Sequence, residues 1–282
     1  MEVIVAKSAG FCFGVERAVK SAYDEAGREN EKIYTYGPII HNEQVTNDLA
    51  KKGVNIINSL EELESLDSGI VIMRAHGVSK SVYDKISKNV KVVDATCPFV
   101  SKIHRIVNEE SSKGKHIIII GNDGHPEVEG IKGWAVGKTF VISSEQDALE
   151  FADEMGASLC IVSQTTFNVK KFHKLVEIIE KKGYNSSVVN TICDATSKRQ
   201  AEAGQLASRV DAMIVVGGVH SSNTQKLYEI CKNECSKTYL IQTVDDLQDF
   251  MLAGCNVVGI TAGASTPNNI TEEVQNYVRR KF

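Results

Sequence analysis

Residues 90–97 read VKVVDATC: a short β-branched run, a polar turn, then a cysteine, with Pro98 and a long amphipathic stretch behind it. A β-branched run that gives way to proline and helical periodicity is a strand feeding a helix, here with the cysteine at the helix N-terminus. The passage occurs twice more, as VIVAKSAGFC at residues 3–12 and SSVVNTIC at residues 186–193. Cys12, Cys97 and Cys193 therefore each follow a strand and open a helix, at intervals of 85 and 96 residues.

The repeat extends beyond the cysteines. Each is followed by a second strand that ends in a glycine loop: YTYGPIIHNE (34–43), IIIIGNDGHPE (117–127) and MIVVGGVHSSN (213–223). From cysteine to the first glycine of that loop is 25, 24 and 24 residues. A third strand then ends in polar residues, in VIMRAHG (71–77), CIVSQTT (160–166) and GITAGAST (259–266), with looser spacing. Units of this length are small domains and not the turns of a solenoid.

Other short apolar runs complete the pattern: KIYTY, TFVI, TYLI and, within the units already named, EVIVA, GIVIM, HIIII, LCIVS, AMIVV and NVVGI. They alternate with amphipathic stretches such as VERAVKSAYDEA, VSKIHRIVNEESSK and NVKKFHKLVEIIEKK. Strands alternating with helices predict an α/β protein with mainly parallel sheets. The expected organisation is three similar small α/β domains around a pseudo-threefold axis: residues 13–96, 97–192 and 193–282, with the N-terminal strand 1–12 and the C-terminal helix closing the ring.

The totals narrow the function classes. The chain has 282 residues, 42% hydrophobic and 24% charged, with a net charge of −4. That balance disfavours a broad nucleic-acid-binding face and leaves room for a local anion pocket. No apolar run reaches membrane-span length, and MEVIVAKSAG carries no export-type apolar core, so a cytoplasmic protein without a membrane partner is expected. There are seven cysteines, an odd number, and no CxxC, which disfavours a disulfide framework and local zinc sites. Neither GxGxxG after a strand nor a Walker A motif occurs, so nicotinamide and ATP are not implied.

Ligands of open α/β sheets bind beyond the carboxyl ends of the strands. The three cysteines and all six polar loops belong to that end, and pseudo-threefold packing would bring them to one centre. Three thiolates at one point suit a central iron–sulfur cluster better than zinc, and leave one iron open to substrate. A lone cysteine is more often a small buried hydrophobe, and Cys160, Cys231, Cys235 and Cys255 are read that way. Phe11, Phe13 and Phe99 would shield the cluster, and the helix dipole behind Cys97 would lower its thiol pKa. His41, His76, His125, Thr165, Ser265 and the HSSN run from His220 to Asn223 offer donors at strand ends, and helix N-termini at Asn42, Pro126 and Ser221 add to them. This combination fits a phosphate or diphosphate. Glu127 is either a helix-dipole carboxylate or a proton donor beside bound substrate. Glu129 has the same position in the helix start, so the pattern does not separate the two.

The blocks GFCFGVERAV, GPIIHNEQV, RAHGVS, DATCPFVSKIH, GHPEVEG, SQTTF, ICDATSKRQ, SSNT and GASTP, in this order between residues 3 and about 280, resemble the LytB/IspH family of 4-hydroxy-3-methylbut-2-enyl diphosphate reductases. The resemblance implies three α/β domains around a [4Fe–4S] cluster held by Cys12, Cys97 and Cys193, with one open iron. It implies reductive dehydroxylation of the diphosphate to isopentenyl and dimethylallyl diphosphates, the last step of the methylerythritol phosphate route to isoprenoids. His41, His76, His125, Ser221, Ser222, Asn223 and Ser265 match diphosphate-contacting positions. Glu127, and not Glu129, matches the proton-delivery residue, and Thr165 the residue that orients the substrate hydroxyl. An external electron donor such as ferredoxin or flavodoxin is implied as partner.

Two other classes share part of this pattern. A quinolinate synthase-like iron–sulfur dehydratase also takes one cysteine per domain, but its dicarboxylate site needs more arginine than the Arg74 found here. A non-enzymatic phosphate- or sugar-binding α/β protein leaves the cysteine register unexplained.

Overall fold

The computed structural model describes residues 1–28, 31–86, 90–154 and 156–281. In chain order the strands are β1 (Glu2–Val5), β2 (Ile33–Tyr36), β3 (Val54–Ile57), β4 (Ile70–Met73), β5 (Lys91–Asp94), β6 (His116–Ile120), β7 (Thr139–Ile142), β8 (Ser158–Ser163), β9 (Asn185–Val188), β10 (Ala212–Val216), β11 (Thr238–Ile241) and β12 (Val257–Ala262). The helices are α1 (Phe13–Ala26), α2 (Glu43–Lys51), α3 (Leu60–Glu64), α4 (Lys80–Ile86), α5 (Pro98–Ser112), α6 (Pro126–Lys132), α7 (Glu145–Glu150), α8 (Val169–Glu180), α9 (Asp194–Ala207), α10 (Ser222–Glu234) and α11 (Asn268–Lys281).

The strands form three four-stranded sheets, ordered β3-β2-β4-β5, β7-β6-β8-β9 and β1-β12-β10-β11. Every pairing is parallel. Read from the other edge, the third sheet is β11-β10-β12-β1, the same order as the first two. In each sheet the strand that leads into a cysteine is an edge strand: β5 into Cys97, β9 into Cys193, β1 into Cys12. Each cysteine thus lies where the chain leaves one sheet and begins the helix that precedes the next repeat.

Helices on both faces explain why the central strands are continuous apolar runs. In β6, Ile118 and Ile120 pack with Leu159, Ile161, Phe172 and Leu175, and Ile117 and Ile119 face the other way onto Ile103 and Val107 of α5. In the third sheet Ile214, Val216 and Ile260 meet Val274 and Val278 of α11, while Met213 and Val215 meet Ala203 and Leu206 of α9 and Leu227 of α10. Truncating one of these isoleucines to alanine costs about 2–5 kcal/mol, through lost burial and the cavity left behind.

Every apolar run named from the sequence is a strand. β3 was not among them. Its two central residues, Asn55 and Ile56, are exposed at the edge of the first sheet, so it lacks the buried-strand signature.

The chain divides into two compact units, Met1–Glu16 with His41–Gln44 and Cys193–Phe282, and Arg17–Ile40 with Val45–Ile192. The first holds the β1-β12-β10-β11 sheet and the second holds the other two sheets. Among the described residues no helix is long and apolar enough to cross a membrane.

Candidate active site

The three cysteines occupy one structural position. The carbonyl of each accepts the first hydrogen bond of the helix it opens: Glu16 N to Cys12 at 2.9 Å, Ser101 N to Cys97 at 3.0 Å, and Ser197 N to Cys193 at 3.0 Å. Each is half-buried, whereas Cys160, Cys231, Cys235 and Cys255 are buried; none of the seven is in a disulfide. The buried four belong to the apolar cores. Burial drives the Cys231 thiol up to about 12. At Cys193, burial also raises the thiol pKa, opposed by the amides of Ala195 and Thr196 in the first turn of α9. At this helix start, then, desolvation outweighs the favourable amides, against the simple expectation that a helix N-terminus lowers a thiol pKa.

In the unit with two sheets, backbone bonds lace three loops together. Ala75 N donates to Ile39 O at 3.2 Å, and Cys97 N donates to Ala75 O at 3.0 Å. Arg74 Nε closes the turn onto Gly77 O at 3.2 Å. His76 therefore sits on a loop fixed to the backbone of Cys97. Its ring meets His125 edge to face, 5.5 Å between centroids and 82° between planes.

His125 is the N-cap of α6, and its Nδ1 accepts the Glu127 amide at 3.1 Å. An accepting Nδ1 puts the proton of the neutral ring on Nε2, which is then a donor for a ligand. The same turn buries Glu127, 2% exposed, although it is a carboxylate in a first turn. Its Oε1 accepts the Thr165 amide at 2.6 Å and its Oε2 accepts the Thr165 hydroxyl at 2.8 Å. Desolvation raises its pKa to about 7, partly offset by the two Thr165 bonds. Glu129 differs in burial and in partner: its side chain is 47% exposed, and it pairs with Lys132 at 3.0 Å.

In the other unit, Cys12 N donates to Ala264 O at 3.3 Å. The Ser265 hydroxyl is 3.3 Å from His41 O and 3.2 Å from Ser221 Oγ. Ser221 is the N-cap of α10, with Ser222 at the first helical position. Next to it, Asn223 is 4% exposed, and neither its amide nitrogen nor its amide oxygen has a partner among the described residues. A buried amide without partners costs about 1–3 kcal/mol, which a polar ligand would recover. Gly217 permits the crowding here: it has φ +150°, and a Cβ would lie 2.7 Å from the hydroxyls of Thr224 and Thr266.

One unit thus carries Cys97, His76, His125, Glu127 and Thr165, and the other carries Cys12, Cys193, His41, Ser221, Ser222, Asn223 and Ser265. His220 is exposed. Of the phenylalanines expected beside the cysteines, Phe13 is 66% exposed and Phe99 43%, so neither is part of the apolar cores. They stand in the first turns of α1 and α5. The sequence pattern also passed over Arg199 and Glu202 of α9, which bond to the end of β12 and to the Lys7–Ser8 loop; Arg199 lies within ICDATSKRQ, whereas Glu202 falls just beyond it and carried no signal.

Known proteins match along almost the whole chain. A curated 4-hydroxy-3-methylbut-2-enyl diphosphate reductase of Caldanaerobacter subterraneus subsp. tengcongensis is 46% identical over 97% of this chain and 95% of its own. One from Clostridioides difficile is 42% identical over 99% of both. Among solved structures, the E-1-hydroxy-2-methyl-but-2-enyl-4-diphosphate reductase of Plasmodium falciparum superposes with a TM-score of 0.91 at 30% identity, covering 98% of this chain and 87% of that one. A second, described as the terminal enzyme of the non-mevalonate pathway, gives 0.70 at 39% identity, covering 99% and 100%. With the LytB protein family profile matching residues 3–279, on top of a cysteine repeat carried by three parallel sheets, this chain belongs to the LytB family.

Proposed function

We propose that the chain reduces 4-hydroxy-3-methylbut-2-enyl diphosphate. Two electrons and two protons remove the hydroxyl as water and leave isopentenyl or dimethylallyl diphosphate. The observation that carries this is the buried Glu127–Thr165 pair, a carboxyl with a pKa of about 7 and a bound hydroxyl beside it, in a chain whose relatives are named for this reaction.

Cys12, Cys97 and Cys193 are assigned as the ligands of a [4Fe–4S] cluster with one open iron. The donor set fits: three half-buried thiols in one repeated position, outside any disulfide and set apart from four core cysteines. Soft thiolates in this number suit iron–sulfur chemistry. When bound, the cluster supplies the electrons one at a time and a Lewis-acidic iron. The chain does the rest. His41, His76, His125, Ser221, Ser222, Asn223 and Ser265 bind the diphosphate, with Asn223 gaining the partners it lacks. Thr165 orients the substrate hydroxyl, and Glu127, protonated near neutral pH, gives up its proton as that hydroxyl leaves. The electrons come from an external carrier of the ferredoxin or flavodoxin class, and the reaction is placed in the cytoplasm.

The test is anaerobic assay of the reconstituted protein with a chemically reduced viologen as donor. The proposal predicts loss of the alcohol and formation of the two C5 diphosphates. Iron-loaded protein that leaves the alcohol untouched, or that acts on a dicarboxylate instead, would overturn it.

A further inference from the structure

A buried cation lies on the helix that Cys193 opens. Arg199 is 4% exposed, and its Nη1 donates to Ala262 O at 2.8 Å, at the end of β12. Two residues on, Ala264 O accepts the Cys12 amide. One strand end therefore holds both the guanidinium and the Cys12 loop. One turn further along α9, Glu202 accepts the Lys7 amide at 2.7 Å, the Ser8 amide at 2.9 Å and the Ser8 hydroxyl. Helix α9 thus anchors the segment leading to Cys12 through Glu202 and keeps Arg199 within electrostatic range of both Cys12 and Cys193.

A guanidinium has five N–H donors and keeps its charge at any ordinary pH. No carboxylate among the described residues is in ion-pair contact with Arg199, and Glu202 is committed to the Lys7–Ser8 loop. Burying an uncompensated charge costs several kcal/mol. Burial accordingly lowers the Arg199 pKa, and the charges of Cys12, Glu202 and Cys193 oppose that. The acidic groups that face this cation are thus Glu202 and the sulfurs of Cys12 and Cys193.

We propose that Arg199 is a positioning residue for electron transfer, whose fixed charge balances the thiolates of Cys12 and Cys193 and raises the reduction potential of the cluster they hold. This rests on the cysteine assignment made above. Each electron from the external carrier adds one negative charge to the cluster, with no bond made or broken at Arg199. A nearby fixed cation favours that reduced form, since net charge and local hydrogen bonding set the potentials of such clusters. Glu202, an acid in the same field, works in the opposite direction.

The experiment uses the full chain, reconstituted anaerobically, with iron and sulfide counted first and the potential then read by an EPR-monitored redox titration. Arg199→Met should make the cluster about tenfold harder to reduce, a shift of about −59 mV for one electron. Arg199→Lys should restore most of that, because it keeps the charge. Glu202→Gln should shift the potential upward. A peg joining α9 to β12 and nothing more would give fully loaded variants with unmoved potentials, and that result overturns the inference. If Arg199→Met does not fold, Arg199→Gln decides, since it keeps N–H donors for the Ala262 carbonyl and removes only the charge: a lowered potential supports the role, and an unmoved or raised one removes it. An iron-free wild type fails at the first step and overturns the cysteine assignment itself, whereas full clusters with unmoved potentials overturn only the role of Arg199.

Discussion

Thr165 holds both oxygens of Glu127, its amide at 2.6 Å from Oε1 and its hydroxyl at 2.8 Å from Oε2. A carboxylate held by two donors ordinarily has a low pKa, yet here it is raised to about 7, because complete burial outweighs the bonds. The pair is a proton store whose filling is set by two opposing terms, and each can be altered separately.

Glu127→Gln removes the acid and preserves the size. Turnover should fall by roughly 10²-fold or more, the scale of general acid catalysis, with iron content unchanged. Glu129→Gln should stay within a few-fold of wild type, since that side chain is exposed and pairs only on the surface. Steady-state rates of the two variants at neutral pH check this, and equal losses at both positions would assign the carboxylates to helix stability.

The raised pKa also makes stability depend on pH. The folded protein holds the Glu127 proton up to about pH 7, whereas an unfolded chain releases it near 4.5. Between those values the native state binds more protons than the unfolded one, so stability falls as pH rises, by roughly 3 kcal/mol in all. The contribution is fully present below the unfolded pKa and lost as pH rises through about 7. Urea melts from pH 4.5 to 8 should show this fall in wild type and a shallower one in Glu127→Gln.

Thr165→Val keeps the amide bond and deletes the hydroxyl bond to Oε2. Because the deleted bond favours the charged form, the Glu127 pKa should rise further. The alkaline limb of the pH–rate profile should move to higher pH while the maximal rate falls. A limb that moves to lower pH would show that the hydroxyl does not act on Glu127.

Asn223 predicts opposite signs for stability and binding. Both ends of its buried amide lack partners among the described residues. Asn223→Ala should leave the ligand-free melting temperature unchanged or slightly raised, because an unsatisfied group is removed. It should weaken diphosphate binding by about tenfold, equivalent to ~1.4 kcal/mol, the scale of a hydrogen bond to a charged group. Calorimetric melting and titration with inorganic diphosphate read the two effects independently.

The central strands were legible because parallel strands covered on both faces are unbroken apolar runs, as in HIIII of β6 and AMIVV of β10. β3 escaped because it is a short edge strand with a polar Asn55. The cysteines were legible because the chain repeats its topology: each ends an edge-strand connection and opens a helix. Glu127 and Glu129 could not be told apart by helix position, since both lie in the first turn of α6. What separates them is Thr165, 38 residues along the chain, which only tertiary structure supplies. Arg199 escaped for the same reason, its carbonyl partner being 63 residues away.

The central claim is that one cysteine from each repeat holds the cluster and that one iron is left without a protein ligand. Mössbauer spectroscopy of protein reconstituted anaerobically with ⁵⁷Fe tests it most directly. The account predicts a four-iron cluster in which one iron is spectroscopically distinct and changes when the substrate diphosphate is added, and it predicts loss of the whole signal when Cys12, Cys97 or Cys193 is replaced by serine. Four equivalent irons indifferent to substrate, or a signal that survives those replacements and vanishes with Cys160, Cys231, Cys235 or Cys255, would contradict it.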